Sequence, residues 1–174
     1  TVILDSLSTI YIGTRKPEAA RIKDCLKELD APKECTVVGT GVKTSLPWAA
    51  WANACYAQVH DCNDGHRRGA ALGGSPHPGR VAIPVALAVS EKLQLGGKDV
   101  ITAVVVGYDV AAKLFGMKSP PPTSAYCSAA ITARMLGLSA EQTIFALGIA
   151  GFHSPKNMPS QLSLDTNFLT NGYQ

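Results

Sequence analysis

The apolar positions of this chain fall into helical spacing almost from its first residue. Val2, Ile3, Leu4, Leu7 and Ile10 recur every three or four positions, and Gly13 stands where such a helix would stop. Pro17 to Leu29 predicts a second helix. Its proline suits a first turn, and Ala20, Ile22, Cys25, Leu26 and Leu29 form one face. Asp30 to Pro32 breaks it. Cys35 to Val38 is instead β-like and runs into Gly39-Thr40-Gly41, which predicts a short β-hairpin near 35–44. Pro47 to His60 returns to helix, with Ser45 or Leu46 ahead of it and the aromatics Trp48, Trp51 and Tyr56 along it.

Residues 61–79 lose the periodicity. They are polar and glycine-rich, with Pro76 and Pro78, and predict a long internal loop of the kind that often carries function. Arg80 to Leu93 is an alanine-rich helical run in which Pro84 fits only if it falls in the first turn. Asp99 to Phe115 follows Gly96-Gly97 and is apolar nearly all round, as a central helix should be, although its β-branched residues compete for a strand. Ser119 to Pro122 interrupts, and Ser124 to Leu136 predicts another helix. Ser139, with Gln142 three positions on, is a capping box opening a last helix that reaches Ala150 or Gly151. The tail from His153 to Gln174 reads as loop.

This pattern predicts an all-α helical bundle with one hairpin, as a single domain over 1–174. Composition agrees, because 46% hydrophobic and 17% charged residues supply a core and exclude disorder. The abundant Ala and Gly let helices approach closely. A net charge of +3 with scattered Lys and Arg excludes a nucleic-acid surface but suits a small anion. Nothing in the sequence predicts a membrane span or a signal peptide. The five cysteines show no CxxC spacing, so they predict reduced thiols in a reducing, cytoplasmic setting. The chain opens on Thr1 already inside an apolar run, so a preceding segment is expected.

Chemistry concentrates in the loop from His60 to His77. Gly39-Thr40-Gly41 lacks the third glycine of a dinucleotide fingerprint, since position 44 is Thr, and no βαβ alternation follows; a tight turn is the better account. His60-Asp61-Cys62-Asn63-Asp64-Gly65-His66 packs imidazoles and carboxylates into seven positions, with His77 further along. Three readings stand. A mixed His/Asp set could hold zinc or iron, but the spacing matches no standard site. A carboxylate beside a histidine could fix its tautomer and tune its pKa for proton transfer. Asp61 could simply cap a helix end, with Asn63-Asp64-Gly65 a turn. Arg67-Arg68, with Arg80 beyond, could grip a substrate carboxylate or form a solvated basic turn. His153 reads as a cation at a helix C-terminus.

Several phrases taken in order carry a resemblance. They are Leu4-Asp5-Ser6-Leu7, Thr36-Val37-Val38-Gly39-Thr40-Gly41, Trp48-Ala49-Ala50-Trp51-Ala52-Asn53, His60-Asp61-Cys62-Asn63-Asp64, Ser75-Pro76-His77-Pro78-Gly79 with Ile83-Pro84, Val106-Gly107-Tyr108-Asp109-Val110, and Leu136-Gly137-Leu138 leading to Ala146-Leu147-Gly148-Ile149-Ala150-Gly151. Together they resemble the MmgE/PrpD family of dehydratases, decarboxylases and epimerases. The resemblance implies a helical domain, a homodimer, and cofactor-free, metal-free chemistry on small polycarboxylates through proton removal next to a carboxylate. It matches Asp61 and Asp64 to the family's loop aspartates and His77 to its histidine. By carry-over Asp61, His77 and Asp64 are candidate catalytic groups, with His60, His66, Arg67, Arg68, Trp51 and Tyr56 around the substrate.

The departures also matter. Asn63 replaces an acid, Gly65 replaces a hydroxyl residue, and prolines follow Gly116 where the family has a histidine. Asn167 to Gly172 lacks the family's Lys and His, and the second, smaller domain is expected to be absent. These changes predict a less anionic, more apolar ligand near Trp48, Trp51 and Tyr56. The leading expectation is a lyase, isomerase or cyclase acting on a small organic acid or biosynthetic intermediate, in specialised metabolism. The alternatives are a non-catalytic scaffold or binding protein with this fold, or a fragment of a longer dehydratase or decarboxylase.

Overall fold

The computed structural model describes residues 1–60, 62–65, 77–115, 117 and 123–154. Helix α1 (Val2–Gly13) buries Ser6, Ile10 and Gly13. Helix α2 (Ala19–Glu28) lays Ala19, Ile22 and Leu26 on the core. It starts two residues after the proline that the sequence placed in its first turn. The approach is a tighter turn instead, with Ala19, Ala20 and Arg21 each bonded to the carbonyl three residues back.

Strands β1 (Cys35–Val37) and β2 (Val42–Thr44) form the expected hairpin, antiparallel with Cys35 opposite Thr44 and Val37 opposite Val42. Gly39-Thr40-Gly41 is its turn, both glycines at positive φ. Asn53 is buried beneath the hairpin and uses both ends of its amide there: its oxygen accepts from Val38 N at 2.9 Å and its nitrogen donates to Thr36 O at 3.1 Å. Asn53 belongs to α3 (Leu46–Gln58), which also buries Ala49, Ala52, Cys55, Tyr56, Ala57 and Gln58.

Helix α4 (Gly79–Leu93) is the other central element. Pro84 is its sixth residue, beyond the first turn, and is fully buried. A proline at that position donates no hydrogen bond into the helix, and its buried ring packs in compensation. Helix α5 (Gly97–Phe115) corrects an expectation: it is not central. It buries Ala103, Val104, Gly107 and Ala111 but leaves Ile101 56% and Val105 61% exposed. Helix α6 (Thr123–Met135) buries Cys127, Ala130, Ile131 and Ala133. Helix α7 (Ala140–His153) opens on the predicted capping box, Gln142 N donating to Ser139 Oγ and Ser139 N to Gln142 Oε1. It runs to His153, which the sequence had placed in the tail, and none of its residues is buried.

The core forms two clusters. One gathers Ile10, Ile22, Leu26, Val37, Ala52 and Tyr56 with Ala88. The other gathers Ala82, Ile83, Ala86, Ala103, Val104, Cys127 and Ile131. Helix α4 supplies residues to both. All five cysteines are free thiols, and burial pushes those of Cys55 and Cys127 up to about 12. Among the described residues no helix is long and apolar enough to cross a membrane. The architecture is the expected all-α bundle with one short hairpin.

Candidate functional site

The site is built on the N-terminal end of α4. A helix leaves its first N–H groups without internal partners. Pro78, at the cap position, offers no side-chain acceptor. Asp64, fifteen residues before Gly79, supplies one: its Oδ1 accepts from Gly79 N at 3.0 Å, and Oδ2 lies 3.3 Å from the same nitrogen. A negative charge at this end of the helix is favourable. Oδ2 also accepts from the Tyr108 hydroxyl at 2.7 Å, which ties α5 to the loop. The Tyr108 pKa is raised, first by burial and then by the hydrogen bond to Asp64, so the phenol stays protonated and remains a donor.

Gly79 is required by the crowding here. A Cβ on it would lie 2.5 Å from Asp64 Oδ1, 2.6 Å from the Tyr108 oxygen and 2.8 Å from Ser6 Oγ. Three elements, α1, α4 and α5, and the loop therefore converge at one backbone atom.

His77 is half-buried beside this cluster. Its Nδ1 lies 2.6 Å from the backbone oxygen of Asp64. A carbonyl only accepts, so Nδ1 carries the hydrogen and the neutral ring has its lone pair on Nε2. Nε2 has no hydrogen-bond partner among the described residues. A ring with one nitrogen fixed and the other open can take up or deliver a proton.

A second tie lies alongside. Gln58, the buried last residue of α3, accepts on Oε1 from Asn63 Nδ2 at 2.9 Å and from Arg80 Nη1 at 2.8 Å. Arg80 is thus held at the first turn of α4, facing the end of α3.

Asp64 and His77 are brought together. Asp61, His66, Arg67 and Arg68 lie outside the described residues. His60 follows α3, and its buried Nε2 has no hydrogen-bond partner among the described residues. Trp51 packs against the first cluster and meets Trp48 edge-to-face at 5.6 Å. Tyr56 is not at the site; it is buried in the first cluster, its hydroxyl 3.4 Å from Ala19 O. His153 is the last residue of α7 and stacks edge-on with Phe152.

Sequence reasoning missed Ser6, Gln58, Gly79 and Tyr108 as parts of this cluster. The available signal was a polar residue set into an apolar helical face, visible at Ser6 in α1 and at Tyr108 in α5.

Residues 1–163 match the MmgE/PrpD N-terminal domain. A cis-aconitate decarboxylase of Aspergillus terreus is 28% identical over 165 residues, which cover 86% of this chain and 33% of that protein. A cis-aconitate decarboxylase-like protein, oryM, of Aspergillus oryzae is 25% identical over 167 residues, covering 86% and 34%. The chain spans about a third of the length of these curated relatives. With all but its last residues matched and the helical architecture in place, the chain belongs to the MmgE/PrpD N-terminal domain family.

Proposed function

We propose that this chain carries the proton-transfer half of a lyase-type active site for a small unsaturated or hydroxylated organic acid. One observation carries the reading: the His77 ring is anchored through Nδ1 to Asp64 O at 2.6 Å, which leaves Nε2 to exchange a proton with a ligand. The similarity to proteins named cis-aconitate decarboxylase supports a substrate of that class. In a decarboxylation the bond to the departing carboxylate breaks and its electron pair passes into the remaining carbon skeleton; the His77 ring, first protonated on Nε2 from solvent, delivers that proton to the carbon and returns to the neutral Nδ1–H form. In a dehydration the same nitrogen removes the proton next to a carboxylate and hydroxide leaves.

Asp61 is the proposed second acid–base group. Asp64, its carboxylate engaged by Tyr108 and Gly79, serves to hold His77. His60, His66, Arg67 and Arg68 are proposed to face the substrate, with Arg80 beside them. A second copy of the chain is the proposed partner, and no cofactor is invoked.

His77→Ala tests this against a panel of unsaturated tricarboxylic and dicarboxylic acids that includes cis-aconitate. CO2 release and loss of alkene absorbance are the readouts. Turnover should fall by at least about 100-fold with the helical signal retained. Turnover unchanged by the substitution, or no turnover by the unsubstituted chain on any acid, would favour a non-catalytic scaffold.

A further inference from the structure

Asp64 and His77 do not hold each other unaided. The bond between them runs through the Asp64 main-chain carbonyl, so it depends on how the Asp64 peptide is oriented. That orientation follows the side chain, each of whose oxygens is held by its own donor. Gly79 N on α4 binds Oδ1, and the Tyr108 hydroxyl on α5 binds Oδ2. Ser6 on α1 closes the third side, leaving no room even for a methyl group at position 79.

We propose that Tyr108 is a positioning residue for His77, acting through Asp64: its hydroxyl locks the Asp64 carboxylate, and thereby the carbonyl that keeps the histidine hydrogen on Nδ1. This rests on the reading of His77 as the proton-transfer group. Tyr108 touches no reacting atom in this scheme. It suits the task because its ring is packed against the second cluster and its hydroxyl is a permanent donor. A donor that ionised in the working range would release Asp64; burial and the Asp64 carboxylate prevent that. The crowding at Gly79 makes the lock stiff, since the carboxylate cannot shift toward α4 without meeting that backbone.

Nitrogen-15 NMR of the imidazole side chains tests the proposal, with His77 assigned from its absence in His77→Gln. The unsubstituted chain should show His77 as the Nδ1–H tautomer. Tyr108→Phe, which removes only the hydroxyl, should give a mixture of Nδ1–H and Nε2–H forms, and kcat should fall about tenfold with KM little changed. Gly79→Ala attacks the same lock by crowding both Asp64 Oδ1 and the Tyr108 hydroxyl and should give the same mixture, so the test survives if Tyr108→Phe fails to fold. Ile131→Val thins the neighbouring packing and should lower the melting temperature while the tautomer stays as it was. An Nδ1–H signal unchanged in both Tyr108→Phe and Gly79→Ala would overturn the proposal. The tautomer is read without turnover. An active His77→Ala variant would therefore remove the functional reading, and an unchanged tautomer would remove this one separately.

Discussion

Glu91 shows what one carboxylate can hold together. It accepts from Thr36 N at 2.6 Å, from Thr36 Oγ1 at 2.7 Å and from Lys43 Nζ at 2.8 Å, so a single side chain on α4 fastens both strands of the hairpin. Burial works to raise its pKa, but the bond to Lys43 and the two Thr36 donors outweigh it, and the net shift is below the ordinary 4.5. A carboxylate with a depressed folded pKa stabilises the fold fully above its unfolded value. That stabilisation is lost as the pH drops through the folded value. Glu91→Gln should therefore cost roughly 1 kcal/mol at pH 7 and almost nothing at pH values well below 4.5. Denaturant melts across that range check it, and equal losses at both ends would contradict the assignment. Nothing in the sequence pointed to Glu91, because its partners are 48 and 55 residues away.

Helix α7 is a different case, an element that leans on α6, with Gly151 against Tyr126, without burying any residue fully. It buries no residue, so the capping box at Ser139 and Gln142 carries a larger share than a cap usually does. Ser139→Ala should cost about 1 kcal/mol locally. Amide exchange should quicken along Ala140 to His153 while the α4 amides keep their protection. Equal effects on both helices would mean that α7 is locked into the core after all. This helix was legible in the sequence because a capping box is a local signal, set by residues three apart. The hairpin was legible for the same reason. Helix α5 was misplaced because an apolar stripe on every side says that a helix could be central, not that neighbours cover it. Pro84 was misjudged because a local cost was offset by packing that only the assembled helices provide. The same divide runs through the site. His77 and Asp64 could be singled out from the loop and the family resemblance together, whereas Tyr108, 44 residues from Asp64, joins them only through the bundle.

At the scale of the whole molecule, apolar surface is distributed unevenly. Ile144, Phe145, Ile149 and Phe152 are 62 to 82% exposed along α7, and no neighbouring atom lies near a Cβ placed on Gly148. A contiguous apolar stripe of this kind favours association. Sedimentation of the unsubstituted chain should accelerate as concentration rises, and Phe145→Ser with Phe152→Ser should remove most of that dependence without changing the helical signal. Sedimentation independent of concentration in both would show that the stripe tolerates water. The two hydrophobic clusters, by contrast, share a wall, since Ala88 belongs to one and Ala82, Ile83 and Ala86 to the other. Losing α4 would open both, so heat or denaturant should meet one cooperative unit rather than two, seen as a single calorimetric transition. The residue that begins this shared helix is also the one Asp64 clasps, so whatever grips the loop there strengthens the hinge-pin on which both halves of the protein depend.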